Sequence, residues 1–183
     1  MKREWLVRLA REEDAPEIET LIRISARVLQ SSHYSEPQIE GALGSVFGVD
    51  HQLLSDRTYF LAEHKGQIVG CGGWSRRATL IGGDAMKTGM DIELDPKRDA
   101  ARIRAFFIDP DWARRGIGRT ILKRCEKAIR LARFRSVELV ATLTVGLFTK
   151  RTITRNARGL RFPWQTALRF RLSEWSNTSD HYG

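Results

Sequence analysis

The stretch from Ala101 to Thr144 constrains this chain more than any other. Ile103, Ala105, Phe106, Phe107 and Ile108 read as a largely buried strand that stops at Asp109-Pro110. Proline has no N–H to give a ladder, so the strand ends there. Ile117, Ile121, Leu122, Cys125, Ala128, Ile129 and Ala132 then recur at helical spacing, while Lys123, Arg124, Lys127 and Arg130 take the positions of a solvated face. Val137-Glu138-Leu139-Val140-Ala141 reads as a second strand. Strand, turn, helix, strand is a βαβ unit, which predicts parallel strands and a right-handed crossover.

The turn inside that unit, Trp112-Ala113-Arg114-Arg115-Gly116-Ile117-Gly118-Arg119, is basic and carries two glycines. A helix start exposes unpaired backbone N–H groups at its positive dipole end, which is a binding place for an anion such as a phosphate. Glycine lets the backbone approach such a ligand closely. A bare G-x-G is weak evidence, and its position between a buried strand and an amphipathic helix gives it weight.

On these residues the chain, from about residue 4 to 144, resembles the acetyl-CoA-binding core of the GNAT-type N-acetyltransferase superfamily. That family carries Gln/Arg-x-x-Gly-x-Gly/Ala after a strand ending near a proline. Gly116 and Gly118 match, and Ala113 stands where Gln or Arg is usual. The resemblance implies an α/β (α+β) fold, the GNAT acyl-CoA N-acyltransferase fold, with a mixed central sheet flanked by helices. It implies transfer of an acetyl group from acetyl-CoA to a primary amine, with no metal. Arg114, Arg115, Gly116, Ile117, Gly118 and Arg119 would hold the pyrophosphate, largely through backbone N–H groups. Phe107 and Ile108 would meet the pantetheine arm and polarise the thioester carbonyl.

The acid–base residues are unassigned. The family often places a catalytic Glu on the core strand, and Ala101 to Ile108 contains no carboxylate. Glu63 is a candidate base through water, although an ordinary hairpin charge is the simpler account of it. The tyrosine that family members commonly use as acid is missing as well. A relative that binds acetyl-CoA without turnover is therefore the alternative.

Elsewhere the sequence fits the same frame. Trp5 to Leu9 reads as an opening strand. Asp14, with Pro16 and Glu17 behind it, reads as a helix start, and Leu21, Ile22, Ser25, Val28 and Leu29 follow on one face. Ser35, Pro37 and Gln38 repeat the device and open a second helix towards Leu43. His33 and Tyr34 lie between these helices, in an ordinary loop or against the acceptor. Thr58–Ala62 and Gln67–Trp74 read as a hairpin joined by Glu63-His64-Lys65-Gly66. Gly82 to Asp99 lacks apolar periodicity and reads as a long loop; with His33 to Gly48 it would shape the acceptor pocket.

With 183 residues, 42% of them hydrophobic, the chain can bury one real core. No apolar run has the length of a membrane span and Met1 to Glu4 leads into no signal-peptide core, so the expectation is a cytoplasmic protein off the membrane. Cys71 and Cys125 fall in a strand and a helix, as buried small apolar residues do. Acetyl-CoA and an amine are the expected partners, and a homodimer is compatible with the family.

Residues 145–183 break the pattern. They hold seven Lys or Arg against two acids, which is +5 of the total +9, with neither strand alternation nor a helical stripe. Interleaved Phe162, Trp164, Phe170 and Trp175 superficially suggest nucleic acid, but on no recognisable reading element, so nucleic acid is not expected. The family would place a Pro-Phe-Tyr helix start and two closing strands here. The genetic code allows Gly146 to Lys150, regrouped from the third base of the Val145 codon, to read Gly-Pro-Phe-Tyr-Glu. Pro163 to Thr178 likewise yields two apolar strands around a Gly-bearing turn. The expectation is thus a GNAT domain over 4–144 that is C-terminally incomplete, with closing strands missing or aberrant, and a basic 145–183 tail arising from a frameshift.

Overall fold

The computed structural model describes residues 4–79, 91–142, 158–162 and 165–171, those from 140 onward by backbone. Strand β1 (Leu6–Leu9) pairs antiparallel with β2 (Tyr59–His64), and β2 with β3 (Gln67–Ser75). The β2–β3 turn is Lys65-Gly66, with φ of 48° and 85°, the doubly left-handed geometry that suits strand twist. β3 pairs antiparallel with β4 (Ala101–Ile108), and β4 runs parallel to β5 (Ser136–Thr142). With β6 (Arg158–Phe162) and β7 (Gln165–Arg171), the full sheet order is β1-β2-β3-β4-β5-β7-β6.

Helices cover both faces. α4 (Ile117–Leu131) connects β4 to β5 and buries Ile117, Ile121, Leu122, Cys125 and Ile129 against Ala62, Val69, Trp74, Ala101, Ile103 and Val137. Lys123, Arg124, Lys127 and Arg130 are exposed, as the periodicity predicts. On the other face α1 (Ala15–Leu29) and the short α3 (His51–Ser55) set Ile18, Leu21, Ile22, Leu53 and Leu54 on Tyr59, Leu61, Ile68 and Cys71. The sheet supplies both layers because side chains alternate along each strand.

The caps divide. Ser35 and Gln38 form the expected capping box at α2 (Glu36–Ala42), the Ser35 N–H donating to Gln38 Oε1 at 2.8 Å. At α1 the tertiary structure takes both capping residues. The Asp14 carboxylate accepts from Arg8 Nη1 and from the Arg11 N–H, each at 2.7 Å. Glu17 Oε1 instead accepts the Ile68 N–H at 2.8 Å and ties α1 to β3. α3, with Asp50 as its N-cap, was not legible in the sequence.

The closing strands, expected to be missing or aberrant, are present. β6 (Arg158–Phe162) and β7 (Gln165–Arg171) are present as backbone, and β7 pairs along β5 from Ser136↔Arg171 to Thr142↔Gln165. Strand pairing uses N–H and C=O groups that every non-proline residue carries, so the outer edge of β5 can accept a strand largely without regard to its side chains. Phe148 to Lys150, where the tyrosine was sought, lie outside the described residues, as does the loop over 80–90.

Candidate functional site

The turn after β4 is built by short-range bonds. Asp109 Oδ1 accepts the Asp111 N–H at 2.9 Å and Pro110–Trp112 make one 3₁₀ turn. The chain then enters the left-handed region at Arg114 (φ 65°) and again at Gly116 (φ 85°), the N-cap of α4. The Thr120 N–H reaches Gly116 O at 3.0 Å, so the amides of Ile117 and Gly118 precede the helical ladder and point out of its end. No acidic residue stands in the first turn. A side chain at Gly116 would meet no atom within 4 Å, so the ground over the amides is open.

The two arginines of the turn have different surroundings. The Arg115 guanidinium lies over the Trp112 ring at 4.7 Å from its centroid and 3.7 Å from the Glu4 carboxylate. Trp112 in turn meets Trp5 edge-on and His64 at 4.5 Å, which fixes the turn to the β1–β2 edge. Arg114 is exposed and has no ion-pair partner among the described residues.

β4 leaves its parallel neighbour halfway. Its pairing with β5 covers only Ala101↔Val137, Arg102↔Glu138 and Ile103↔Leu139. Ala105, at φ 59°, forms a bulge where the β3–β4 register also shifts. The bulge changes the parity of the strand: Ile103 and Phe106 pack on the α4 side, Ala105 and Phe107 on the α1 side. The Tyr59 hydroxyl donates to the Ala105 carbonyl at 3.2 Å and secures it.

This split separates the two predicted pantetheine residues. Phe107 stands opposite Cys71, and Ile108 opposite Gly70. The Asp109 N–H donates to Val69 O at 3.1 Å, which makes Ile108–Gly70 the non-bonded kind of antiparallel pair. The Ile108 N–H therefore faces away from β3, towards the side β5 has left. Phe107, one residue back, turns its N–H to β3 and packs its ring edge-on against Phe47 at 6.0 Å. Of the two, Ile108 alone presents a main-chain donor to the split, and its N–H reaches Ser25 Oγ of α1 at 3.2 Å. The Ile108 side chain lies beneath the turn: a Cβ on Gly118 would be 4.0 Å from its Cδ1.

Behind the bulge sits a buried polar group. Arg104 Nε is 2.8 Å from Asp50 Oδ2, with the two side chains 4% and 1% exposed, and Arg104 Nη1 donates to the Thr79 carbonyl. Tyr59 and Cys71 adjoin, Oη to Sγ at 3.2 Å. Burial drives the Tyr59 hydroxyl well above its ordinary range and Cys71 up to about 12, so both stay protonated. Cys125 is likewise buried and raised by desolvation.

Glu63 lies elsewhere, its Oε2 held by Arg8 Nε at 2.7 Å on the β1–β2 pair, in keeping with a structural charge. His33 is exposed and Tyr34 half-buried in the α1–α2 connection. A cavity of about 380 Å³ opens between the start of α1 and Gly44–His51, and none of its lining residues comes from β4 or the turn. Ser25, Asp50 and Arg104 were not singled out by sequence reasoning. The available signal was a polar residue on an apolar face, Ser25 amid Leu21, Ile22 and Val28.

Residues 18–150 match the family model described as Acetyltransferase (GNAT) family. No curated protein matches the chain. Among solved structures, PaiA N-acetyltransferase from Thermoplasma acidophilum in complex with coenzyme A has a TM-score of 0.67 at 13% identity, over 92% of this chain and 99% of that one. A GCN5-related N-acetyltransferase from Rhodopseudomonas palustris gives 0.61 at 19%, over 93% and 98%. A GNAT family acetyltransferase from Brucella melitensis in complex with acetyl-CoA gives 0.54 at 19%, over 91% and 96%.

Proposed function

The chain belongs to the GNAT acetyltransferase family, and from that premise we propose that it transfers an acetyl group from acetyl-CoA to a primary amine. The observation that carries this reading is the adjacency of two kinds of main-chain donor that lie outside the helix and sheet ladders. The amides of Ile117 and Gly118 open onto the turn, and the Ile108 N–H faces the gap between β4 and β5. A pyrophosphate needs the first set and a thioester carbonyl needs the second. Arg114 and Arg119 add positive charge around the anion, while Arg115 braces the turn on Trp112. Catalysis on this plan is chiefly the positioning of an amine against a thioester.

Acetyl-CoA titrated into the protein in a calorimeter tests the cofactor assignment, with Gly116→Asp as the control variant. The Asp carboxylate would occupy the open ground over the first-turn amides, so a loss of ten-fold or more in affinity is expected. Unchanged affinity would overturn the assignment.

A second reading, binding without turnover, has one observation in its favour. The strand position before the bulge holds Arg104, closed by Asp50, and supplies no free carboxylate as base. With the first reading, and not with this one, goes the proposal that the domain covers 4–144 and that 145–183 are translated out of frame. The nucleotide sequence across codons 140 to 180 decides it: a gained or lost base restores a tyrosine-bearing closing hairpin, and an intact frame removes the proposal.

A further inference from the structure

We propose that Gly70 and Gly72 of β3 are seats that draw the Ile108 and Phe106 side chains off the split beside β5, and so keep it open for the pantetheine arm. The proposal deepens the reading above and rests on it.

β4 pairs with β5 no further than Ile103↔Leu139. Past that point Phe106 and Ile108 put their side chains on the α4 side of the sheet. Each could lean over β3 or over the ground that β5 has left. Both lean over β3, and each meets a glycine there. A Cβ on Gly70 would stand 2.9 Å from Ile108 Cδ1, and one on Gly72 would stand 2.7 Å from Phe106 Cδ2, Cε2 and Cζ alike. A point equally far from three atoms of one ring lies on the ring axis. Phe106 therefore lays its face flat on Gly72, in the space that any other residue's side chain would fill. Glycine inside a strand marks such a close approach, and a ring laid over it covers the bare backbone.

The surroundings decide where the ring goes if the seat is filled. Phe106 packs against the core cluster that includes Ile103, Ile117 and Ile121, all buried. A ring lifted off Gly72 cannot enter that core without overpacking it. Its open direction is the split, on which side Phe106 is only half-buried. A methyl group at position 72 thus closes the split from its α4 side. Coenzyme A and acetyl-CoA carry the same pantetheine arm, so both lose the same space. Gly72 is a positioning residue in this account, acting through the Phe106 ring rather than on the reacting atoms.

Calorimetry with acetyl-CoA and coenzyme A on the full chain tests it. Gly72→Ala should weaken both about ten-fold or more. Gly72→Ala combined with Phe106→Ala should recover both affinities to within about three-fold of wild type. The double variant should do so although loss of the ring lowers its urea midpoint further. A merely structural role for Gly72 predicts the reverse, with affinity falling along with stability. Unchanged affinity in Gly72→Ala, or no recovery in the double variant, would overturn the proposal. Should Gly72→Ala fold poorly, proton NMR of the wild type judges the seat. A Gly72 Hα beneath the ring face should resonate upfield and return to the ordinary glycine range in Phe106→Ala; an unshifted Hα would overturn the proposal. If neither compound binds wild type, the acetyltransferase reading is what fails, and the Gly72 resonance still judges the seat.

Discussion

Gly70 of β3 lies so close beneath Ile117, the first residue of α4, that a Cβ on Gly70 would stand 2.7 Å from Ile117 Cγ2 and 2.9 Å from Ile108 Cδ1. The glycine sets the height of the anion turn above the sheet. Gly70→Ala should push the first turn of α4 outward, costing about 1–3 kcal/mol of stability as overpacking does. It should also weaken acetyl-CoA binding. Urea unfolding and calorimetry check the two effects.

Asp50 and Arg104 are predicted to be coupled strongly. Removing one partner leaves a buried charge unpaired, so Asp50→Asn should destabilise by about 3–5 kcal/mol. Asp50→Asn with Arg104→Met removes both charges and should recover much of that loss. A double-mutant cycle in urea reads the coupling directly, and additive losses would contradict it.

Cys71 governs an alkaline limb of stability. Its folded thiol is raised from 9.0 to about 12 by burial, so the unfolded chain ionises first. The folded state therefore keeps its full advantage below about pH 9 and loses it progressively as pH rises towards 12. Cys125 and Tyr59, raised in the same direction, steepen the fall. Urea midpoints between pH 7 and 10.5 should decline above pH 9. Iodoacetamide at pH 8 should label both cysteines only in the unfolded protein.

Arg8 governs the acid limb. Hydrogen bonds from its guanidinium hold the Asp14 carboxyl below its usual range, so this contribution is present above the unfolded pKa near 4 and lost as pH falls through the folded value. Arg8→Met should cost about 1 kcal/mol at pH 7, allowing for partial exposure, and flatten the decline between pH 5 and 3. Unfolding midpoints across that range show whether the slope changes.

The parts of this fold that announce themselves in the sequence are those where one helix or strand buries one face. Ile117, Ile121, Leu122, Cys125 and Ile129 mark α4 because burial of a 3.6-residue stripe needs apolar residues at that spacing. Gly116 and Gly118 mark the turn because its geometry is local. Asp14 and Glu17 mislead as a capping pair, since partners far along the chain, Arg8 and Ile68, claim their oxygens. β6 and β7 escape notice because their alternation, Leu160-Arg161-Phe162 and Leu168-Arg169-Phe170-Arg171, is only three or four residues long.

What the sequence by itself determines here is the βαβ unit from Ala101 to Ala141, its anion turn and the family those residues carry. Those features follow from contacts within a few residues and from a single buried face. The tertiary structure alone decides the site behind the turn. The bulge at Ala105, the donor direction of Ile108, its contact with Ser25 and the closure of Arg104 by Asp50 all join residues tens of positions apart. The register between β3 and β4 sets where each N–H points, and a one-residue slip would redirect every one of them. No local pattern encodes a register; only the packed sheet does.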